Sequence, residues 1–84
     1  MPDPETIRLS VRSYLQPLLP EGTVVHDDTP LVTSGLIDSI GLAALASHLE
    51  NDYSLSIPEA DFEVNNFDTL NAIVSLVNRL KTSA

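Results

Sequence analysis

Residues 35–53 read Gly-Leu-Ile-Asp-Ser-Ile-Gly-Leu-Ala-Ala-Leu-Ala-Ser-His-Leu-Glu-Asn-Asp-Tyr. Leu42, Leu45, Ala46, Leu49 and Tyr53 recur at i, i+3, i+4, i+7 and i+11, the spacing that stacks side chains on one stripe of a helix. Asp38 stands where an N-cap is wanted, because a carboxylate there accepts from the unpaired amides of the first turn. Ile37 and Leu42 then occupy the two positions of a hydrophobic staple. Asn51 and Asp52, followed by Ser54, mark the end less sharply. The stretch therefore predicts a helix with a buried side, and with Ile40, Ala44, Ser47 and Asn51 on the opposite side.

Working outward, two more segments carry the helical period. Asp3 is a candidate N-cap, Pro4 suits a first helical position and Glu5 falls in the first turn, a well-formed start signal. Ile7, Val11, Tyr14, Leu15 and Leu18 follow as one apolar stripe, and Pro17 and Pro20 end the helix near residue 18. The last helix is predicted from residue 66 or 67 to residue 80. Leu70, Ile73, Val74, Val77 and Leu80 or Lys81 face inward, and Arg79 and Lys81 sit at the end favoured for cations. Residues 57–62 read as a short helical turn with Pro58 near its start, and Phe62 with Val64 as its plug into the bundle. Alternating strand patterning is absent. The expected fold is all-α: a small four-helix bundle with a long first loop and a short third helix. It forms one domain over residues 1–84, with an ordered core of about 4–81.

Residues 19–37 cannot continue a helix, because Pro20, Gly22, Pro30 and Gly35 interrupt them. A loop this long in a small domain is usually functional. Val24, Val25, Leu31, Val32, Leu36 and Ile37 punctuate it, so the expectation is an ordered loop packed across the bundle and leading into the second helix.

Composition bounds the function. Eighty-four residues make one small domain, 43% hydrophobic and without cysteine, so disulfides, thiolate metal sites and a cysteine nucleophile are excluded. The opening Met-Pro-Asp-Pro-Glu-Thr-Ile-Arg has no secretory pattern, and the longest apolar run, residues 40–46, is too short to span a bilayer. A cytoplasmic monomer is expected, its helical stripes covering one another. Twelve acids against four bases give a net charge of −8. Between residues 13 and 78 there is no Lys or Arg at all; Arg8, Arg12, Arg79 and Lys81 lie near the two ends. Such a surface repels nucleic acid and anionic membranes and steers toward basic partners.

No catalytic constellation emerges. Ser39 and His48 share the second helix nine residues apart, roughly 180° around the axis and about 13 Å along it, so they cannot hydrogen-bond. His26 lies in the preceding loop with no base role assigned. Ile37 replaces the first glycine of a nucleophile elbow. Neither His26 nor His48 has a partner at metal-ligand spacing, Val32 stands where a calcium loop starting at Asp27 needs glycine, and no phosphate-cradling glycine loop exists. Catalytic and metal residues are therefore none. What remains is Ser39, an exposed hydroxyl in the first turn of a helix, where unpaired amides and the macrodipole stabilise an added phosphodiester. On helix physics alone, the favoured reading is that Ser39 or Asp38 is only a cap.

Gly35, Leu36, Ile37, Asp38, Ser39 and Ile40 together resemble the Asp-Ser-Leu/Ile/Met motif of acyl and peptidyl carrier proteins. The resemblance extends to the long first loop with Leu31, the short turn at residues 58–62 and the last helix introduced by Asn66 and Phe67, and so to residues 4–81. It implies that Ser39 receives 4′-phosphopantetheine from coenzyme A through a magnesium-using phosphopantetheinyl transferase. Cargo is then held as a thioester on that arm. Asp38 would cap the helix and assist loading. The chain would be a stand-alone, non-catalytic carrier, acted on by a cargo-loading ligase or acyltransferase and by downstream biosynthetic enzymes, with Leu36, Ile37, Ile40, Ala44 and Ser47 as the partner-binding surface. One departure stands out. Carriers of fatty-acid synthesis have a strongly acidic second helix, whereas this one exposes Ala43, Ala44, Ser47 and His48 and carries acids only at Glu50 and Asp52. That favours a specialised, secondary-metabolite pathway (polyketide or nonribosomal peptide). The wording around Ser39 leans toward an aminoacyl cargo over a polyketide or fatty acyl one. The alternative is an unmodified acidic helical adaptor for a basic or amphipathic partner helix.

Overall fold

A computed structural model describes residues 3–82, and the chain ends at residues 1 and 84 lie outside the described residues. Extended backbone at Asp3 opens α1, Pro4–Leu15, with Pro4 in the first turn. The Asp3 side chain makes no capping hydrogen bond; its carbonyl accepts from the Ile7 amide at 3.0 Å. Ile7, Val11 and Leu15 are buried and Tyr14 is half-buried. Pro17 cannot donate to a further α-turn, so the chain tightens into a 3-10 turn, Gln16–Leu18, and leaves in extended backbone at Leu19. This shifts the phase of the stripe. Leu18, expected inward, is 58% exposed, and Leu19 takes the buried place.

The central helix α2 spans Ser39–Tyr53 with Asp38 as its N-cap. Leu42, Leu45, Ala46 and Leu49 are buried, while Ile40, Ala43, Ala44, Ser47 and Asn51 are exposed, as the periodicity required. The helix ends where Ser54 adopts a left-handed conformation (φ 52°, ψ 51°) and its amide returns to the Glu50 carbonyl.

Beyond it the prediction needs correcting. Residues 66–80 are not one helix. Glu59–Asp61 forms a 3-10 turn, a one-turn helix α3 covers Val64–Phe67, and α4 runs separately over Leu70–Thr82. The break falls at Asp68 and Thr69, where the Thr69 hydroxyl accepts from the Ala72 amide at 3.0 Å and so caps α4. The plug is also different. Phe62 is 44% exposed and Val64 is exposed as well, whereas Phe67 is fully buried. Phe62 follows the 3-10 turn with φ −84° and ψ 76°, a backbone that carries it to the margin; its ring meets Phe67 at 5.5 Å between centroids. Buried Leu70, Ile73, Val74 and Val77 on α4, joined by Leu76, pack against α1, α2 and α3, giving an all-α four-helix bundle. Among the described residues no helix is long and apolar enough to cross a membrane.

The loop over residues 19–38 is built into this core. Leu19, Val25, Leu31 and Ile37 are buried, and Val32 and Leu36 pack against the core. All four bases are used internally. Arg8 Nε and Arg12 Nη2 lie 3.1 and 3.0 Å from Asp27 Oδ1, Arg79 pairs with Asp61 at 3.0 Å, and Lys81 Nζ donates to the Tyr53 carbonyl at 2.8 Å. The acidic surface therefore lacks free cations among the described residues.

Candidate functional site

The site is assembled at the entrance to α2. Asp38 lies in extended backbone, and its Oδ1 accepts from the Gly41 amide at 2.8 Å, while its carbonyl accepts from Leu42. With the capping role taken by Asp38, the Ser39 hydroxyl has no partner among the described residues and is exposed. It stands at the first helical position, where amides of the opening turn have no intrahelical acceptor and the macrodipole is positive. An unpartnered hydroxyl beside such amides suits a residue that becomes a phosphodiester.

Gly41, which costs about 1 kcal/mol relative to alanine within a helix, has a local reason. A Cβ there would meet Ile37 Cγ2 at 2.9 Å. Ile37 is only 6% exposed, so glycine is what lets its side chain turn under the start of α2. This corrects one docking residue, because Ile37 faces the core. The others divide: Ile40 is 80% exposed, Ala44 and Ser47 are exposed, and Leu36 is half-buried. Beside them opens a cleft of about 190 Å³, with Leu15, Leu18 and Leu19 on one wall and Gly35, Leu36, Ile37, Asp38 and Gly41 on the other.

The histidines lie elsewhere. His48 stacks on Tyr14 with ring centroids 3.9 Å apart and planes 10° apart, joining α1 to α2, and its Nε2 lies 3.3 Å from Asp52 Oδ2. His26 is exposed, and its amide donates to the Thr29 hydroxyl at 2.8 Å. Among the described residues no group of three or more His, Cys, Asp or Glu side chains is placed to hold a metal ion.

One residue escaped the sequence reading. Asp68 Oδ1 accepts from the amides of Leu31, Val32 and Thr33 at 3.1, 2.8 and 2.9 Å, and Oδ2 accepts from the Thr33 hydroxyl at 2.9 Å. The Thr33 amide, helped by the Thr33 hydroxyl and the other two amides, holds the Asp68 carboxyl below its ordinary value of 3.8, against the opposing effect of burial. Treating residues 66–80 as one helix hid it. The available signal was the Asp-Thr pair, a cap-like sequence inside a supposed helix.

Compared with known proteins, residues 10–77 match the family described as "Phosphopantetheine attachment site". The chain belongs to that carrier-protein family. D-alanyl carrier protein 2 of Lactiplantibacillus plantarum is 30% identical over 77 residues, covering 92% of this chain and 96% of that one. D-alanyl carrier protein 1 of the same organism is 30% identical over 74 residues, covering 88% and 92%. The D-alanyl carrier protein of Streptococcus sanguinis is 29% identical over 77 residues, covering 92% and 98%. As a carrier, the chain is a substrate of partner enzymes rather than a catalyst, and its family works with a phosphopantetheine cofactor.

Proposed function

We propose that this carrier holds aminoacyl cargo as a thioester on a 4′-phosphopantetheine arm attached to Ser39. The observation that carries the reading is the exposed, unpartnered Ser39 hydroxyl at the start of α2, released from capping duty by Asp38. In loading, under a transferase and magnesium, the Ser39 oxygen gives up its proton and attacks the pantetheine-bearing phosphorus of coenzyme A; the new phosphodiester forms as the pyrophosphate P–O bond breaks and adenosine 3′,5′-bisphosphate leaves. The arm supplies a thiol for the cargo. Asp38 holds the first turn in place, and the amides around Ser39 face the new negative charge.

Partner enzymes dock on Ile40, Ala44 and Ser47 with Leu36 at the lip of the cleft, and Ile37 supports that surface from beneath. The weakly charged outer face of α2 supports a pathway other than primary fatty-acid synthesis, whether secondary-metabolite assembly or another use of activated amino acids. The relatives' names favour an aminoacyl cargo, with D-alanine the first to try; a carboxylic acid needs activation before it can form a thioester, so the loading enzyme in this reading is an adenylating ligase.

The test is intact mass after incubation with coenzyme A, magnesium and a broad-specificity transferase, beside Ser39→Ala. The wild type gains one phosphopantetheine and the variant none. Adding D-alanine, ATP and a D-alanine-activating ligase then adds one alanyl group. Loading of Ser39→Ala, or no gain by a folded, unmodified wild type, overturns the assignment and leaves the acidic adaptor.

A further inference from the structure

Resting on the reading that Ser39 is loaded, we propose that Asp68 is a positioning residue for that loading: from the junction of α3 and α4 it holds the backbone that presents Ser39. The connection can be followed bond by bond. Three successive amides, those of Leu31, Val32 and Thr33, converge on one carboxylate oxygen of Asp68, and the Thr33 hydroxyl binds the other. The Leu31 amide also donates to the Asp68 carbonyl at 2.7 Å, while the Leu31 carbonyl accepts from the Ile37 amide at 2.9 Å. Ile37 is buried against Gly41, and Asp38 caps the Gly41 amide. Ser39 lies between these two fixed points, so the orientation of its hydroxyl is inherited from Leu31, and that of Leu31 from Asp68.

The carboxylate does what the loop cannot do for itself. A long irregular segment has no ladder to pair its amides, and fixing each of its residues costs conformational entropy. Burial of Leu31 and Ile37, with the Ile37 amide on the Leu31 carbonyl and the Gly35 amide on the Val32 carbonyl, closes the turn but leaves the Val32 and Thr33 amides to Asp68. Asp68 defines it with bonds to a charged acceptor, the stronger kind. When those bonds are removed, the presenting conformation becomes one of several. A binding-competent state populated to fraction f weakens apparent affinity by 1/f while leaving the bound state unchanged. The signature is thus a raised KM for the carrier with kcat preserved, which general loss of stability in a chain that remains folded would not produce.

The experiment compares transferase kinetics on wild type, Asp68→Ala, Asp68→Asn and Thr33→Val, each checked for cooperative unfolding. Asp68→Ala is expected to raise the KM for the carrier about tenfold with kcat within about twofold. Amide exchange at Leu31, Val32 and Thr33 should accelerate in the same variant. Asp68→Asn keeps an acceptor oxygen in place and should restore KM to within about threefold of wild type. A folded Asp68→Ala with wild-type KM, a fall in kcat alone, or an Asp68→Asn no better than Asp68→Ala overturns the proposal. If Asp68→Ala does not fold, Thr33→Val decides: a KM raised about twofold or more supports the proposal, and an unchanged KM overturns it. Wild type that is not loaded at all sinks the Ser39 reading itself, whereas equal loading of folded wild type and Asp68→Ala sinks only the positioning role.

Discussion

The two irregular connections of the bundle are held in opposite ways. Residues 19–38 are drawn inward by four buried side chains, Leu19, Val25, Leu31 and Ile37, and are clasped by Asp68 on one side and by Arg8 and Arg12 through Asp27 on the other. Residues 54–69 have one fully buried side chain, Phe67, and leave Phe62 and Val64 exposed. Glu50 Oε2 accepts from the Ile57 amide at 2.8 Å, Asn66 Nδ2 donates to the Asp61 carbonyl at 2.7 Å, Arg79 pairs with Asp61, and at the far end Asp68 shares its clasp with the first connection. The better-anchored connection is the one that delivers Ser39. The first connection is anchored along its length by buried side chains, whereas the second buries one aromatic ring fully and is otherwise held by half-buried Leu55 and Ile57 and by ties near its ends.

The sharpest way to break this contrast is at that ring. Phe67→Ala should cost about 3–5 kcal/mol of unfolding free energy, while Phe62→Ala, at a half-exposed site, should cost about 1 kcal/mol. Urea denaturation of the pair measures both, and equal losses would mean that the second connection is plugged by both rings. Next comes the clasp. Asp68→Ala leaves the Val32 and Thr33 amides and the Thr33 hydroxyl without their acceptor, while the Leu31 amide keeps the backbone carbonyl of residue 68; the change should cost about 2 kcal/mol in the same assay.

Acid probes the clasp without deleting it. The folded Asp68 carboxyl sits below its ordinary value of 3.8, so the unfolded chain binds its proton first as pH falls. Its contribution is therefore complete above that ordinary value and is lost as pH drops from there through the folded pKa. Wild type should accordingly lose more stability than Asp68→Asn does as pH falls from about 5, just above the unfolded value, to about 2. Identical losses would show that the clasp does not depend on charge.

Gly41→Ala tests how the first connection enters α2. Alanine gains about 1 kcal/mol of helix propensity but drives a Cβ to 2.9 Å from the buried Ile37, an overpacking that costs about 1–3 kcal/mol. A net loss of about 1 kcal/mol is expected, and a gain would mean that Ile37 can move aside. Smallest of all, Ser39→Ala should change stability by no more than about 0.5 kcal/mol, because its hydroxyl has no partner among the described residues, even though the proposed loading depends on it.

The stripe of α2 and its cap at Asp38 were legible because both are local: helical spacing and an N-cap are set by residues within a few positions of one another. The same holds for α1 up to Leu15 and for the inward face of α4. The prominence of Ser39 followed from its place after a long loop and at a helix start, and the resemblance around it pointed to the family that the comparisons found. Misreadings arose where a neighbour in sequence was not the neighbour in space. Leu18 lost its buried place to Leu19 when the helix tightened, Phe62 lost the plug to Phe67, and Ile37 turned into the core instead of toward partners.

The sequence by itself thus determined α1 up to Leu15, α2 and the inward face of α4, the acidic surface, the absence of cysteine chemistry and the serine to examine, since periodicity, charge and residue type are properties of short stretches or of the whole composition. Tertiary structure alone decided that α3 and α4 separate at Asp68 and that this carboxylate binds a loop some 35 residues away. Those outcomes depend on which groups meet after the bundle closes. An unpaired loop amide is satisfied by whatever acceptor packing brings within reach, and no spacing rule along the chain encodes that meeting.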